Sequence, residues 1–240
     1  MSPESEAWSA KEMYQATLQQ YGSRVLPPSH PYSRTVRRVM GRLIPSTGLQ
    51  DTKWEVYVID DPEQTNAFVI PGGKVFVFSG ILPICDGDDG LAAVLGHEIA
   101  HNIARHQSER MSQQIIFISV CWLLSSLFEI PDILNRILLD VAFAKPGSRQ
   151  QELEADYIGL MMMAQSCYDP EAAVGLWDRM NQAEKYAPPQ WLSTHPSSLD
   201  RKRQIGEWLP EAEAKRSASD CAATLGYAQE FRDTFRQVVW

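Results

Sequence analysis

Hydrophobic positions along the chain change their spacing several times, and each change predicts a different element. Two N-terminal segments, 5–21 and 34–44, have helical spacing, and the Pro-rich stretch 27–31 separates them because a helix cannot continue through it. Three short runs are rich in β-branched and aromatic residues, as strands are: 54–59, 66–70 and 74–78. Pro71, Gly72 and Gly73 join the last two runs and predict a hairpin.

The rest of the chain is predominantly helical in pattern. Segment 91–106 is predicted to be a helix whose N-cap is Asp88 or Asp89. Further helical patterns follow at 152–166, 171–185, 198–208 and 219–237. The chain is therefore predicted to have an α+β fold, mainly helical, with a small antiparallel sheet beside the helix over 91–106.

An apolar run over residues 115–128 stands apart from the amphipathic helices. It is too short to cross a bilayer as a helix, which needs about 20 apolar residues. Two interpretations remain: a helix that is buried or covered by a partner, and a helix that dips into a membrane surface. With 133–143 the run would form a helical hairpin that turns at Pro131.

Composition narrows the classes of function. A net charge of −8 in 240 residues, without a block of Lys and Arg, argues against a nucleic-acid partner. The acidic N-terminus leads us to expect no signal or transit peptide in this sequence. The four cysteines lack C-x-x-C spacing and are expected to be buried or free thiols: Cys85, Cys121, Cys167 and Cys221.

Candidate chemistry is concentrated in an H-E-x-x-H motif formed by His97, Glu98 and His101. Two histidines one helical turn apart can reach the same metal ion, and the intervening carboxylate suits proton transfer from water. On a continuous helix His106 would point about 180° from His97. We therefore expect His106 to be structural or exposed and not to bind the same metal ion.

A catalytic zinc site needs a third protein ligand. The candidates are His30, His195 and the carboxylates, of which Glu152 is the strongest because Asp156 shares its helix face. Asp156 is expected to accept the N–H of a ligand histidine. Glu154 lies off that face and is expected to be solvated.

Small residues offer a reason for the two helices to pack together. Gly96, Ala100 and Ala104 form a stripe beside the histidine face, and Ala155 and Gly159 lie on the face of Glu152. Because glycine in a helix interior is unfavourable, its presence predicts a close approach of the two backbones.

A loop histidine, His195, precedes the helix that carries Arg201. Near a zinc ion, His195 supported by Arg201 would stabilise the oxyanion of a tetrahedral intermediate. The alternative is that His195 only caps or packs the loop.

These motifs together resemble those of the M48 (Ste24/HtpX-like) zinc metallopeptidases. The resemblance rests on H-E-I-A-H at 97–101, E-L-E-A-D at 152–156 and S-T-H-P-S at 193–197 followed by Arg201. The stretch 66–82 is also similar to the segment that precedes the zinc helix in that family. The similarity covers about residues 35–210 and is greatest to the Oma1-type branch.

The resemblance implies a zincin-like peptidase core over 51–210, with an apolar helical hairpin at about 113–144. The helical patterns outside this core predict N-terminal helices over 1–50 that pack on it and a C-terminal helix over 211–240. One Zn²⁺ per chain would be held by His97, His101 and Glu152, with Glu98 as general base and auxiliary roles for His195 and Arg201. A strand edge would pair with substrate, and its residues would be Asn66, Ala67, Phe68, Val69, Lys74, Val75 and Phe76.

The function implied is a zinc metalloendopeptidase that cleaves membrane-associated or misfolded proteins in mitochondrial inner-membrane quality control. The substrate of such an enzyme would be an extended polypeptide. The family resemblance also implies that the protein associates with a membrane. Formation of a homo-oligomer is left open. Two rival functions are a catalytically inactive, zinc-stabilised scaffold or adaptor that binds peptides, and a non-haem iron enzyme with two histidines and one carboxylate.

Overall fold

The computed structural model describes residues 2–128, 148–184, 191–192, 195 and 199–221. Within them, the helices and strands follow in the order α1 (Pro3–Tyr21), α2 (Pro31–Leu43), β1 (Glu55–Ile59), β2 (Ala67–Ile70), β3 (Lys74–Phe78), α3 (Leu82–Cys85), α4 (Asp88–Ile103), α5 (His106–Phe128), α6 (Arg149–Gln165), α7 (Glu171–Glu184) and α8 (Leu199–Ala218). Short 3₁₀ turns lie at Gly22–Arg24, Ile44–Thr47 and Ser79–Ile81. The predicted α+β, mainly helical fold is confirmed.

The three strands form one sheet in which β3 is central. The predicted hairpin is present, since β2 and β3 are antiparallel, but β1 runs parallel to β3, so the sheet is mixed. After β1 the chain crosses to the opposite edge of the sheet to form β2 and then returns as β3 between the two, which gives the order β1-β3-β2. The outer side of β1 is paired to the chain before α2, because Leu26 N–H donates to the Val58 carbonyl at 2.8 Å. Among the described residues, β2 therefore provides the accessible edge of the sheet.

Alternation along β3 divides the interior into two layers. Val75 and Val77 belong to the large core that includes buried residues of α2, α4, α6 and α7. Phe76 and Phe78 face the opposite way, into a smaller aromatic cluster covered by α1. Successive strand residues point to opposite faces, so one strand supplies both layers.

Helices α4 and α6 pack in close backbone contact at Gly96 and Gly159. A Cβ atom added at Gly159 would lie 2.8 Å from the backbone nitrogen of His97, and one at Gly96 would lie 3.0 Å from the Gly159 carbonyl oxygen. Only glycine permits this approach. The predicted pairing of the small-residue faces thus brings the helix with Glu152 against the helix with His97.

The beginning of α4 differs from the prediction. Gly87, with a φ of 115°, is the N-cap, and Asp88 lies in the first turn. The Asp88 carboxylate instead accepts two hydrogen bonds from the Arg38 guanidinium on α2, at 2.6 and 2.7 Å. Asp89 accepts from the Asp169 N–H at 2.8 Å. Both carboxylates are used in tertiary contacts, so the predicted N-cap is wrong.

The apolar run predicted over 115–128 lies on α5, and its described side chains are largely exposed. Trp122 is 78% exposed and Ile116 is 65% exposed, so the prediction of a buried helix is wrong, whereas the partner-covered and membrane-surface interpretations stay predictions. Within the described part of the chain, none of the helices combines the length and hydrophobicity that a bilayer span requires. Pro131 and 133–143, the second half of the predicted hairpin, lie outside the described residues.

Cys167 and Cys221 form a disulfide, contrary to the expectation of buried or free thiols. The bond joins the turn after α6 to the residues after α8, two points 54 residues apart in sequence. Such a pair has no local spacing signal, which is why the sequence did not reveal it. Cys85 and Cys121 are free, as predicted. The helix predicted at 198–208 extends to Ala218, and the pattern over 219–237 lies almost entirely outside the described residues.

Candidate metal centre

The two motif histidines project from one face of α4 into the interior. Their Nε2 atoms lie 3.0 Å apart, and both side chains are buried. Leu95 and Ile99 lie on the opposite face of the helix and are fully buried in the large core. Apolar packing behind α4 thus holds His97 and His101 in position, as the helical spacing predicted.

Helix α6 brings Glu152 to the same point. Its Oε2 lies 3.4 Å from His97 Nε2, and its Oε1 lies 3.6 Å from His101 Nε2. A fourth residue, His195, places its Nδ1 3.2 Å from His97 Nε2 and 3.1 Å from Glu152 Oε2. The four ligand atoms all lie within 4.8 Å of one another. His30, the other candidate, instead caps α2 by accepting from the Tyr32 N–H at 3.3 Å.

This cluster fits a tetrahedral zinc ion. With metal–ligand distances of about 2.0–2.1 Å, neighbouring ligand atoms around tetrahedral zinc are separated by about 3.3 Å. The two histidine Nε2 atoms are 3.0 Å apart, and they lie 3.4 and 3.6 Å from the Glu152 oxygens. Oε1 of Glu152 is buried without a hydrogen-bond partner. Buried polar atoms normally have partners, so a cation at the centre of the cluster would satisfy it.

A second carboxylate orients the first histidine. Asp156 Oδ1 lies 3.0 Å from His97 Nδ1, the contact predicted for it. Arg201 donates two hydrogen bonds of 2.7 Å to Asp156 and lies 3.1 Å from Glu152 Oε2. This pairing corrects the expectation that Arg201 faces an oxyanion, because its guanidinium is buried against the two carboxylates. It acts on the metal site by positioning them.

The buried charges shift the pKa values strongly. Burial would lower the pKa of His97, but contacts with Asp156 and Glu152 outweigh it and raise the pKa to about 9. Burial and the neighbouring histidines lower the pKa of His101 to about 3, although Glu152 opposes them. Burial would raise the pKa of Glu152, but three histidines hold it far below its usual range. Glu152 is therefore an anion with three imidazoles around it.

The carboxylate of Glu98 lies beside this cluster. Trp191 donates its indole N–H to Glu98 Oε1 at 2.7 Å, and His195 Nε2 lies 3.3 Å from the same oxygen. The Trp191 ring stacks on His195 with a centroid separation of 5.0 Å. His195 is thus built into the site and is not merely a loop cap, which supports the metal-site interpretation over the alternative. Trp191 was not predicted as a site residue.

His106 and Glu154 also lie beside the candidate site, although neither was predicted there. His106 is buried, with its Nδ1 2.7 Å from His101 Nδ1, and its Nε2 lies 3.3 Å from Glu154 Oε2. His106 was not assigned to the site because the prediction assumed one continuous helix through residue 106, and Glu154 was not because it lies off the helix face of Glu152. Glu154 is about half exposed, so the expected solvation is only part of its environment.

The predicted substrate residues divide between an edge strand and a central strand. Asn66 precedes β2 and Ala67, Phe68 and Val69 lie on it, at the accessible edge. Lys74, Val75 and Phe76 lie on β3, which is paired on both sides and cannot accept a further strand. This part of the prediction is wrong, because the hairpin alone does not show which of its strands is covered.

Comparison with known proteins agrees with these observations. The family described as Peptidase family M48 matches residues 32–209. The mitochondrial metalloendopeptidase OMA1 of Schizosaccharomyces pombe is 48% identical over 223 residues, which cover 92% of this chain and 66% of that protein. Its Saccharomyces cerevisiae counterpart is 40% identical over 234 residues, covering 91% of this chain and 68% of that protein. The beta-barrel assembly-enhancing protease of Escherichia coli is 28% identical over 175 residues, which cover 65% of this chain and 34% of that protein. The chain thus spans about two thirds of the length of these two fungal relatives.

Proposed function

The chain belongs to peptidase family M48, and we propose that it is a zinc-dependent metalloendopeptidase. The observation that carries the proposal is the convergence of His97, His101 and Glu152 beside the carboxylate of Glu98. When bound, zinc supplies a Lewis acid that lowers the pKa of water and polarises the scissile carbonyl. A single ion per chain accounts for the cluster.

The protein's own residues supply proton transfer and orientation. Glu98 accepts the proton of the attacking water and delivers it to the leaving amine. Asp156 and Arg201 hold His97 and Glu152 in place through their buried contacts. His195 occupies one corner of the ligand cluster, and that corner has to open to admit water and substrate. In that open state, we propose, the His195 imidazole donates to the developing oxyanion.

The edge of β2 is the proposed site for an extended substrate. Strand addition there would satisfy backbone groups of the peptide and place it alongside α4, which contacts β2. Recognition through the backbone selects unfolded or flexible segments with little dependence on side chains. We therefore extend the proposal to misfolded or membrane-associated polypeptides.

The location proposed is the mitochondrial inner membrane. Both fungal relatives are named mitochondrial, and the exposed apolar residues of α5 offer a surface for membrane contact. If copies of the chain form a homo-oligomer, the exposed face of α5 is the proposed contact between them.

The test compares Glu98→Gln with Glu152→Ala. Glu98→Gln should keep zinc and lose cleavage of an unfolded protein such as casein, because the amide cannot accept the proton. Glu152→Ala should lose zinc as well, because a ligand is removed. Metal analysis of both variants and a chelator control on the unmodified chain complete the experiment. An unmodified chain that holds zinc and leaves casein uncut would favour the peptide-binding scaffold, and one that holds iron would favour the non-haem iron enzyme.

A further inference from the structure

His106 lies directly beside the metal ligand His101. Their Nδ1 atoms are 2.7 Å apart, their ring centroids are 4.9 Å apart, and His106 is 2% exposed. This is a hydrogen-bond distance between two ring nitrogens, so one nitrogen carries a proton and the other accepts it.

The path of the chain explains how His106 reaches this position. Helix α4 ends at Ile103, and α5 begins at His106. Between them Arg105 has a φ of 56°, a left-handed conformation that turns the chain. On an uninterrupted helix His106 would point about 180° away from His97. Because the helix is interrupted, His106 instead points into the interior and lies next to His101.

The other side of the His106 ring faces α6. Its Nε2 lies 3.3 Å from Glu154 Oε2, and the Glu154 side chain is 53% exposed. A line of contacts therefore runs from the buried His101 through His106 to a carboxylate at the surface. Glu154 is two residues from Glu152, so the same helix supplies the carboxylate near His101 Nε2 and the carboxylate near His106 Nε2.

One assignment of protons satisfies every contact in this line. His101 directs Nε2 toward His97 and Glu152, and an imidazole that gives Nε2 to a metal carries its proton on Nδ1. That N–H donates to His106 Nδ1. The proton of a neutral His106 then lies on Nε2, from which it donates to the Glu154 carboxylate.

We infer that His106 and Glu154 are positioning residues that hold His101 in the tautomer and orientation needed to bind the metal. The inference rests on the proposed zinc site. His97 has an equivalent support, since its own Nδ1 faces Asp156. Each motif histidine thus has a partner close to its distal nitrogen, Asp156 for His97 and His106 for His101.

The experiment measures the zinc affinity of the purified chain by competition with a chromophoric chelator. His106→Phe keeps an aromatic ring but removes the acceptor, whereas His106→Asn places an amide oxygen near the position of Nδ1. The Phe variant should bind zinc about 10–100-fold more weakly, as loss of such outer contacts typically does. The Asn variant should be clearly closer to the unmodified chain, because it still accepts from His101.

A parallel pair tests the outer end of the line. Glu154→Gln keeps an acceptor for His106 Nε2–H and should hold zinc nearly as well as the unmodified chain. Glu154→Ala removes the acceptor and should bind more weakly than Glu154→Gln, although less so than His106→Phe because water can reach this half-exposed position. The Glu154 pair also carries the test if His106→Phe does not fold, which urea unfolding of the metal-free variants would show.

The outcomes separate this inference from the proposed function. Wild-type affinity in His106→Phe, equal weakening in the Asn and Phe variants, or equal affinity in the two Glu154 variants would overturn the inference. An unmodified chain that binds no zinc would instead overturn the proposed metal site. The d–d absorption of the cobalt-substituted chain adds a readout of ligand geometry, and it should change in His106→Phe and be preserved in His106→Asn.

Discussion

Trp191 donates its indole N–H to Oε1 of Glu98 at 2.7 Å, beside the buried cluster of the proposed metal ligands. The backbone N–H of the same residue donates to the Thr65 carbonyl at 3.0 Å, immediately before β2. Trp191 therefore connects Glu98, the proposed general base, to the chain beside the proposed substrate edge. A carboxylate held at one oxygen presents its other oxygen in a defined direction.

Replacing Trp191 with Phe should lower kcat while the zinc content stays unchanged. The backbone contact and an aromatic ring remain, whereas the N–H to Glu98 and part of the buried ring volume are lost. A hydrogen bond to a charged group contributes about 1.5–3 kcal/mol, so a fall of about tenfold or more is expected. Steady-state kinetics with a fluorogenic peptide would measure it. An increase in kcat would show instead that the indole restrains Glu98 from reaching its water.

The predictable part of the site is the part encoded within single helices. The spacing of His97 and His101 places them on one face of α4 whatever surrounds it, and Glu152 and Asp156 share a face of α6 for the same reason. Glycines at 96 and 159 even indicated which helices meet. The family prediction, which combined these segments in order, is confirmed.

The parts that were missed depend on turns and on distant pairing. Arg105 turns the chain without a glycine or proline to signal it, so the position of His106 could not be deduced from a helical wheel. The partner of Cys167 and the indole contact of Trp191 arise from tertiary packing over many residues. Likewise, a hairpin pattern does not show which strand lies at the centre of a sheet.

Zinc binding to the metal-free chain should release about one proton at pH 7. The pKa of His97 is raised to about 9, so this ring carries a proton that zinc must displace. His101, with its pKa lowered to about 3, is already neutral, and Glu152, with its pKa held far below the usual range, is already ionised. Calorimetry in buffers with different ionisation enthalpies would count the proton.

The sign of the pH dependence follows from the same shift. Apparent zinc affinity should rise by about tenfold per pH unit up to a pH of about 9 and then level off. In the metal-free chain, the His97 proton stabilises the fold fully below the usual value of 6.5, and this stabilisation is lost as pH rises through about 9. Zinc affinity that is constant between pH 6 and 8 would contradict the raised pKa.

Loss of the disulfide should destabilise the fold. Cys167 and Cys221 are 54 residues apart, and closing a loop of this size stabilises a protein by about 4 kcal/mol in the chain-entropy description. Urea unfolding should show that free-energy loss when both are changed to Ser, and a reductant should affect only the unmodified chain. Cys121→Ser, at a free cysteine of α5, is the matched control and should leave the reductant effect in place. If reductant leaves the free energy of unfolding of the unmodified chain unchanged, the disulfide does not form.

The close approach of α4 and α6 makes Gly159 the most sensitive glycine for the metal site. A Cβ there would lie 2.8 Å from the His97 nitrogen and 2.9 Å from the Gly96 carbonyl carbon, both backbone atoms that cannot move aside independently. Gly159→Ala should therefore cost about 1–3 kcal/mol or more by overpacking. Because the clash separates Glu152 from the two histidines, zinc affinity should fall as well.

Gly206 on α8 provides the control for this change. A Cβ at Gly206 meets no atom within 4 Å, so Gly206→Ala should stabilise its helix by about 0.5–1 kcal/mol through the loss of backbone freedom in the unfolded chain. Urea unfolding of both variants, with zinc titration beside it, makes the comparison. If Gly159→Ala lowers the free energy of unfolding and Gly206→Ala raises it, the destabilisation arises from the contact between α4 and α6. A Gly159→Ala variant as stable and as zinc-avid as Gly206→Ala would mean that α4 and α6 lie further apart than the structure places them.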